Sequence, residues 1–310
     1  MGEALEIAKV LVDPVMKLLD MVGNAAGTMY EPHHIRKMAD AEAYKIKAVG
    51  NAVGEIAMLP ASYDNGSIAV NSTDTDDLLK RAEMRERLQK IREQQNIENV
   101  IGYAQLELLG MDPIPDTPVD DDWINRLLNN AKEVSSETMQ FIWGKILAGE
   151  VAAPGSFSKR TLDTIRNLSQ SEAQAFQAVA PLVFHAERDS FITANHDILK
   201  SYGVRYEDCM LLDECGLLVQ SMGVSINFVM AKGDPGYLHT KTLSAVIEAK
   251  SEVENTYSLS IYSLTRAGRE LYRILDIGSN DGYFRSVMSD FSDEYHNELV
   301  ISVSEITADN

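Results

Sequence analysis

Three prolines in one short stretch, Pro113, Pro115 and Pro118, set the first limit on what this chain can fold into. A proline removes a backbone donor and pushes the residue before it out of the α region, so no helix runs through them. Asp112, Asp116, Asp120, Asp121 and Asp122 share residues 111–122 with no base, and like charges keep such a stretch extended. The chain therefore folds as more than one part, with 111–122 as an acidic, Pro-rich linker. At 310 residues, the parts on either side are long enough to bury cores of their own.

Residues 1–110 read as helices. Leu5, Ala8, Leu11, Val12, Val15, Leu18, Leu19 and Val22 recur at spacings of three and four, the stripe of an amphipathic helix. Pro32 to Met58 repeats the pattern through Ile35, Met38, Ala43, Ile46, Val49 and Val53. The polar segment Ala61 to Asp77 reads as a mobile loop. A third helix opens near Asp74 or Asp76, whose carboxylates suit free amides and the helix dipole, and runs to about Leu109. Its Leu78, Ala82, Leu88 and Ile91 make a narrow seam between charged faces, the pattern of a helix laid on another helix. Leu88 and Ile91 are thus candidates for homo-oligomer contacts, as are Gly23 and Gly27, small residues four apart that let helices approach closely.

Residues 123–189 predict a central core of three short helices. Asp122 reads as the N-cap of the helix that holds Trp123. Ser135 or Ser136 caps the next, on which Met139, Phe141, Ile142, Trp143, Ile146 and Leu147 are apolar almost all round. Gly149 reads as its stop, Pro154-Gly155 as a turn, and Ser156 or Ser158 as the start of a helix to Leu168. Ser169-x-x-Glu172 is a capping box that opens a helix to about His185.

Beyond Asp189 the pattern changes. A helix from Tyr206 to Glu214 ends at Gly216, and strand-like runs follow at Leu217–Met222, Ile226–Ala231 and Tyr257–Leu264. Thr265 caps a helix from Arg266 to Leu275, and Val300–Val303 adds an edge strand. The order helix, Gly-Leu-Leu, β-ribbon, Leu-Thr-x-x-Gly-x-x-Leu, helix resembles a winged-helix element with an enlarged wing. The expected fold class is mainly α with a smaller α+β part: an N-terminal helical bundle, a central three-helix core and, over 190–310, a winged-helix-like module.

Charge and chemistry narrow the function. Lys and Arg number 28 against 47 Asp and Glu, a net charge of −19 that repels phosphate backbones and disfavours nucleic acid as a partner. A winged helix ordinarily suggests DNA, and a DNA-binding regulator is the alternative reading. Its helix Tyr206–Glu214, however, holds Glu207, Asp208, Asp213 and Glu214 and no base, where a DNA reader needs a basic stripe. No Gly-x-Ser-x-Gly elbow or phosphate-binding Gly-rich loop is present, and the contiguous His33 and His34 diverge by about 100° on a helix. No catalytic residue, metal or cofactor is expected. Only Cys209 and Cys215 are available for a disulfide, Glu3 and Glu6 oppose a secretory signal, and Val10–Met29 is broken by Asp13, Pro14, Lys17 and Asp20. These features predict a cytoplasmic protein whose membrane contact is at most peripheral.

The run Trp143-x-Lys145-Ile146-Leu147-Ala148-Gly149-Glu150, followed by Pro154-Gly155-Ser156-x-Ser158-x-Arg160-Thr161-Leu162, resembles a family of bacterial proteins of unknown function over roughly residues 100–275. In that pattern Trp143, Lys145, Glu150 and Arg160 are the candidates for an interaction groove; the competing reading buries Trp143 and pairs Lys145 or Arg160 with Glu150 to steady the turn. Tyr30 to Ala43 is similar to the N-terminal region of alpha-type abortive-infection proteins, which are linked to phage exclusion. The resemblances imply a non-catalytic interaction protein, a sensor or effector of antiviral defence with a protein partner of phage origin.

Overall fold

A computed structural model describes residues 11–26, 61–64, 67–70, 75–187, 189–220, 224–275 and 277–306. The chain divides into two compact units, Met1–Phe157 and Ser158–Asn310. The described residues hold ten α-helices, and an antiparallel sheet of eight strands occupies the C-terminal half.

In the N-terminal unit, β1 (Leu11–Val12) precedes α1 (Pro14–Ala26). This corrects the expected helix through Leu11: a proline starts a helix readily and interrupts one, and Met16 N donates to Asp13 Oδ1 at 2.9 Å as the first turn forms. β1 pairs antiparallel with β4 (Ile114–Pro115), so the Pro-rich stretch contributes a short strand. β2 (Ala61–Asp64) and β3 (Ser67–Val70) form a hairpin where a loop was expected. The overlooked signal is Asn65-Gly66 between them, a dipeptide suited to two-residue hairpin turns. Pro32–Met58, Gly27 and the stretch similar to abortive-infection proteins lie outside the described residues.

The 34-residue α2 (Thr75–Leu108) is about 50 Å long and matches the expected third helix. α3 (Asp121–Ala131) is capped by Asp120, not Asp122, because Asp120 accepts from the backbone N–H of Asp122 and Trp123. α4 (Glu137–Ala152) crosses α2 at Gly144, where an added Cβ would stand 2.4 Å from Tyr103 Cβ and 3.1 Å from Val100 O. Leu18, Val100, Ala104, Leu127, Trp143 and Ile146 fill the core.

The C-terminal unit opens with α5 (Lys159–Arg166), capped by Ser158, and α6 (Gln170–Val179), capped by the expected Ser169–Glu172 box. α6 stops well before His185, because Pro181 cannot continue an α-helix, and a short 3-10 turn, Ala180–Leu182, leads into β5 (Phe184–Ala186). β6 (Asp189–Thr193), α7 (His196–Ser201), α8 (Tyr206–Glu214) and β7 (Leu218–Val219) follow. Then come β8 (Ser225–Met230), β9 (Gly236–His239), β10 (Leu243–Ala249), β11 (Asn255–Leu264), α9 (Arg266–Ile274), α10 (Asp281–Glu294) and β12 (Leu299–Glu305).

The sheet runs β12-β10-β9-β5-β6-β11-β7, and β8 pairs with Asn255–Ser260, the first part of β11. The expected small winged-helix-like module is therefore corrected to a larger α/β unit whose sheet also recruits residues 184–193. The Gly-Leu-Leu and Leu-Thr-x-x-Gly runs do meet. Thr265 N donates to Leu217 O at 3.0 Å, Thr265 Oγ1 donates to Gly216 O at 2.6 Å, and a Cβ on Gly268 would lie 2.1 Å from Leu217 O. α10 lays Phe284, Val287, Met288 and Phe291 into the core, and Thr193 N donates to Tyr283 Oη at 2.8 Å.

Candidate functional site

The two halves of the sequence signature build two anchored turns. Helix α4 ends against its own return: Gly149 sits so close to Phe157 that an added Cβ would stand 2.7 Å from the ring. This corrects the reading of Gly149 as a helix stop; its small size admits the ring, and the helix continues to Ala152. Glu150, 2% exposed, accepts from Gly155 N at 2.6 Å and Phe157 N at 2.9 Å. Gly155 takes φ +89°, a conformation other residues adopt only under strain. Phe157 O in turn accepts from Trp123 Nε1 at 2.8 Å. Near the end of α4, the buried Lys17 ammonium donates to Val151 O at 3.0 Å and Pro115 O at 3.2 Å, and burial holds its pKa below the ordinary value. A cation there also suits the negative end of the helix dipole.

In the C-terminal unit Glu270, 3% exposed, plays the matching part. It accepts from Ser158 N at 2.8 Å, Thr161 Oγ1 at 2.5 Å and Arg266 Nε at 2.6 Å, tying the start of α5 to α9. Sequence reasoning missed Glu270, which lies more than a hundred residues from Ser158 and Thr161.

Of the groove candidates, Trp143 is fully buried, so it shapes the core and cannot meet a partner at the surface. Lys145 approaches Glu107 at 3.9 Å and lies 5.1 Å from the Phe141 ring centroid, on the exposed side of the α2–α4 pair. Glu150 binds backbone amides, and Arg160 is exposed on α5 of the other unit. Among the assembly candidates, Gly23 is half-buried on α1, Leu88 is half-buried on α2 and Ile91 is 48% exposed. Met84, Leu88, Ile91 and Gln95 follow one another at four, three and four residues along α2, as a helix–helix seam requires.

The sequence model of a family described as "Protein of unknown function (DUF2806)" matches residues 80–288, well over half of the chain. The chain belongs to this family. Neither the curated proteins nor the solved structures returned a match to it. The DUF2806 match takes in most of α2, both anchored turns and the sheet up to β11.

Within that span the structure also assembles side chains that the sequence leaves apart. His185 and His239 pair across β5 and β9, with ring centroids 5.4 Å apart, beside Tyr272 and Lys241. His185 shares a 2.9 Å hydrogen bond with Ser190 Oγ, and burial, reinforced by His239 and Lys241, pushes its pKa down to about 4. His196 gathers Tyr206 and Tyr262 around one cleft. Cys209 and Cys215 are free thiols, both pushed up to about 11, chiefly by burial, so at neutral pH they are weak nucleophiles. Among the described residues no group of three or more His, Cys, Asp or Glu is placed to hold a metal, and no helix is long and apolar enough to cross a membrane.

Proposed function

We propose that this DUF2806 protein is a non-catalytic interaction protein of antiviral defence that forms a homo-oligomer through α2 and engages a protein partner of phage origin. The observation that carries the reading is the exposed first half of α2. Large apolar residues stay open on more than one side of it, with Leu78 58%, Leu79 64% and Ile91 48% exposed. Between Asp76 and Glu98 the helix bears six acids and six bases, in a chain whose net charge is −19. With no net charge, this stretch escapes the repulsion that the rest of the acidic surface exerts on a second copy. The carboxylates that anchor the signature's turns, Glu150 and Glu270, accept from the chain's own backbone and side-chain donors, which fits a structural role better than proton transfer. The defence assignment rests on the similarity of Tyr30–Ala43 to abortive-infection proteins.

The test pairs light scattering on the full chain with phage plaque assays. The intact protein should show a multiple of the monomer mass and protect bacteria against at least one phage. A Leu88→Lys/Ile91→Lys variant with an unchanged circular dichroism spectrum should be monomeric and give no protection at matched protein levels. A monomeric intact protein would overturn the assembly, and unaltered plaque counts across a broad phage panel would overturn the defence role.

A further inference from the structure

A cleft of about 540 Å³ opens in the C-terminal unit, lined by residues that include His196, Tyr206, Met210, Asp213, Glu214 and Tyr262. Three aromatic rings stand together on its wall. The His196 ring centroid is 5.0 Å from that of Tyr206, edge-on, and 5.7 Å from that of Tyr262. A 2.8 Å hydrogen bond between His196 Nε2 and Tyr262 Oη fixes the imidazole, and Gln220 Nε2 donates to the same oxygen at 3.4 Å. Tyr206 and Met210 remain 47% and 42% exposed, so aromatic and thioether surface is available to a ligand. Asp213 and Glu214 close the last turn of α8, where the helix dipole is negative. Among the described residues no Lys or Arg lines the cleft.

These features select one ligand chemistry. An anion meets two carboxylates and a helix C-terminus, while a neutral apolar group leaves both carboxylates unused. A cation with an alkyl shell gains from ring faces and from the carboxylates together, the combination that recognises ammonium groups elsewhere in proteins. We propose that this cleft binds an alkylammonium group, with Tyr206, Tyr262 and His196 as the aromatic wall and Asp213 and Glu214 as the counter-charge. The site is built from residues of the C-terminal unit alone and does not depend on the assembly proposed above.

The experiment is calorimetric titration of the full chain with choline and with 3,3-dimethylbutanol, its uncharged isostere. Choline should bind, and the isostere should be weaker by about tenfold or more. Tyr206→Ala, which removes an exposed ring, and Asp213→Asn/Glu214→Gln, which removes charge at constant shape, should each weaken choline by a similar factor with an unchanged circular dichroism spectrum. Equal binding of choline and the isostere, or no heat with choline, would overturn the proposal. A parallel titration with a lysine- or trimethyllysine-containing peptide separates the sources. Tighter binding of the peptide assigns the ammonium to a protein partner, tighter binding of choline assigns it to a free small molecule, and either ranking upholds an ammonium site.

Discussion

His185 illustrates how a single side chain can make this fold sensitive to acid. In the unfolded chain it takes a proton near pH 6.5, while in the folded unit the proton is refused until about pH 4. Between those values the unfolded state binds a proton that the folded state does not, so stability falls as pH drops through the window and is fully present above it. The groups that face the ring are Ser190, His239, Lys241 and Tyr272, none of which offers a carboxylate to offset the charge. Denaturant titrations of the intact protein and of His185→Gln, run from pH 7 to pH 4.5, should converge: the intact protein loses stability more steeply. Parallel pH slopes would remove His185 as a cause. At the same scale, Glu150 was visible in the sequence as a polar residue in an apolar helix, but its role was not, because its partners are backbone amides that carry no side-chain signature.

Among the elements, the α2–α4 crossing is the most tightly specified. Gly144 lets the two helices approach to a distance that a methyl group would prevent, since its neighbours there are Tyr103 Cβ and backbone atoms of α2. Beside it, Gln140 donates to Asn96 Oδ1 at 3.1 Å and Val134 O at 2.8 Å and accepts from Asn99 Nδ2 at 3.1 Å, so a shift of α4 against α2 would also break the two part-buried hydrogen bonds to Asn96 and Asn99. Gly144→Ala should therefore cost about 1–3 kcal/mol, as overpacking does, despite the better helix propensity of alanine. Thermal melting followed by tryptophan fluorescence reads this directly, because both tryptophans lie in the N-terminal unit; an unchanged or higher midpoint would show that the helices separate without penalty. Capped helices were legible from sequence, as Ser158, Ser169 with Glu172 and Thr265 show. α10 had an equally good cap in Asn280 and an apolar stripe through Phe284, Val287, Met288 and Phe291, and was overlooked.

For the molecule as a whole, a net charge of −19 sets the background on which every local interaction acts. Self-repulsion opposes the compact state and opposes the meeting of two copies, and both effects are screened by salt. Raising ionic strength from about 0.01 to 0.15 M shortens the screening length from about 30 to 8 Å, so the melting temperature should rise. Calorimetry in a salt series measures it; a melting temperature that falls with salt would mean that local ion pairs such as Glu86–Lys90, 2.7 Å apart on α2, outweigh the global repulsion.

Most helices, several of their caps, the break at the prolines and the edge strand at Val300–Val303 were readable from local spacing, because a helix or a turn is settled by residues within four positions of one another. The sheet was not. β5 and β6 are short, β6 is buried for most of its length and so lacks alternation, and β9 pairs on one side with β5, far back along the chain. The same holds for the chemistry: Glu270 finds Ser158, and His196 finds Tyr206 and Tyr262, only when distant segments pack. Long-range pairing leaves no period in a sequence, so the size of the C-terminal sheet and the cleft beside α8 emerge from packing alone.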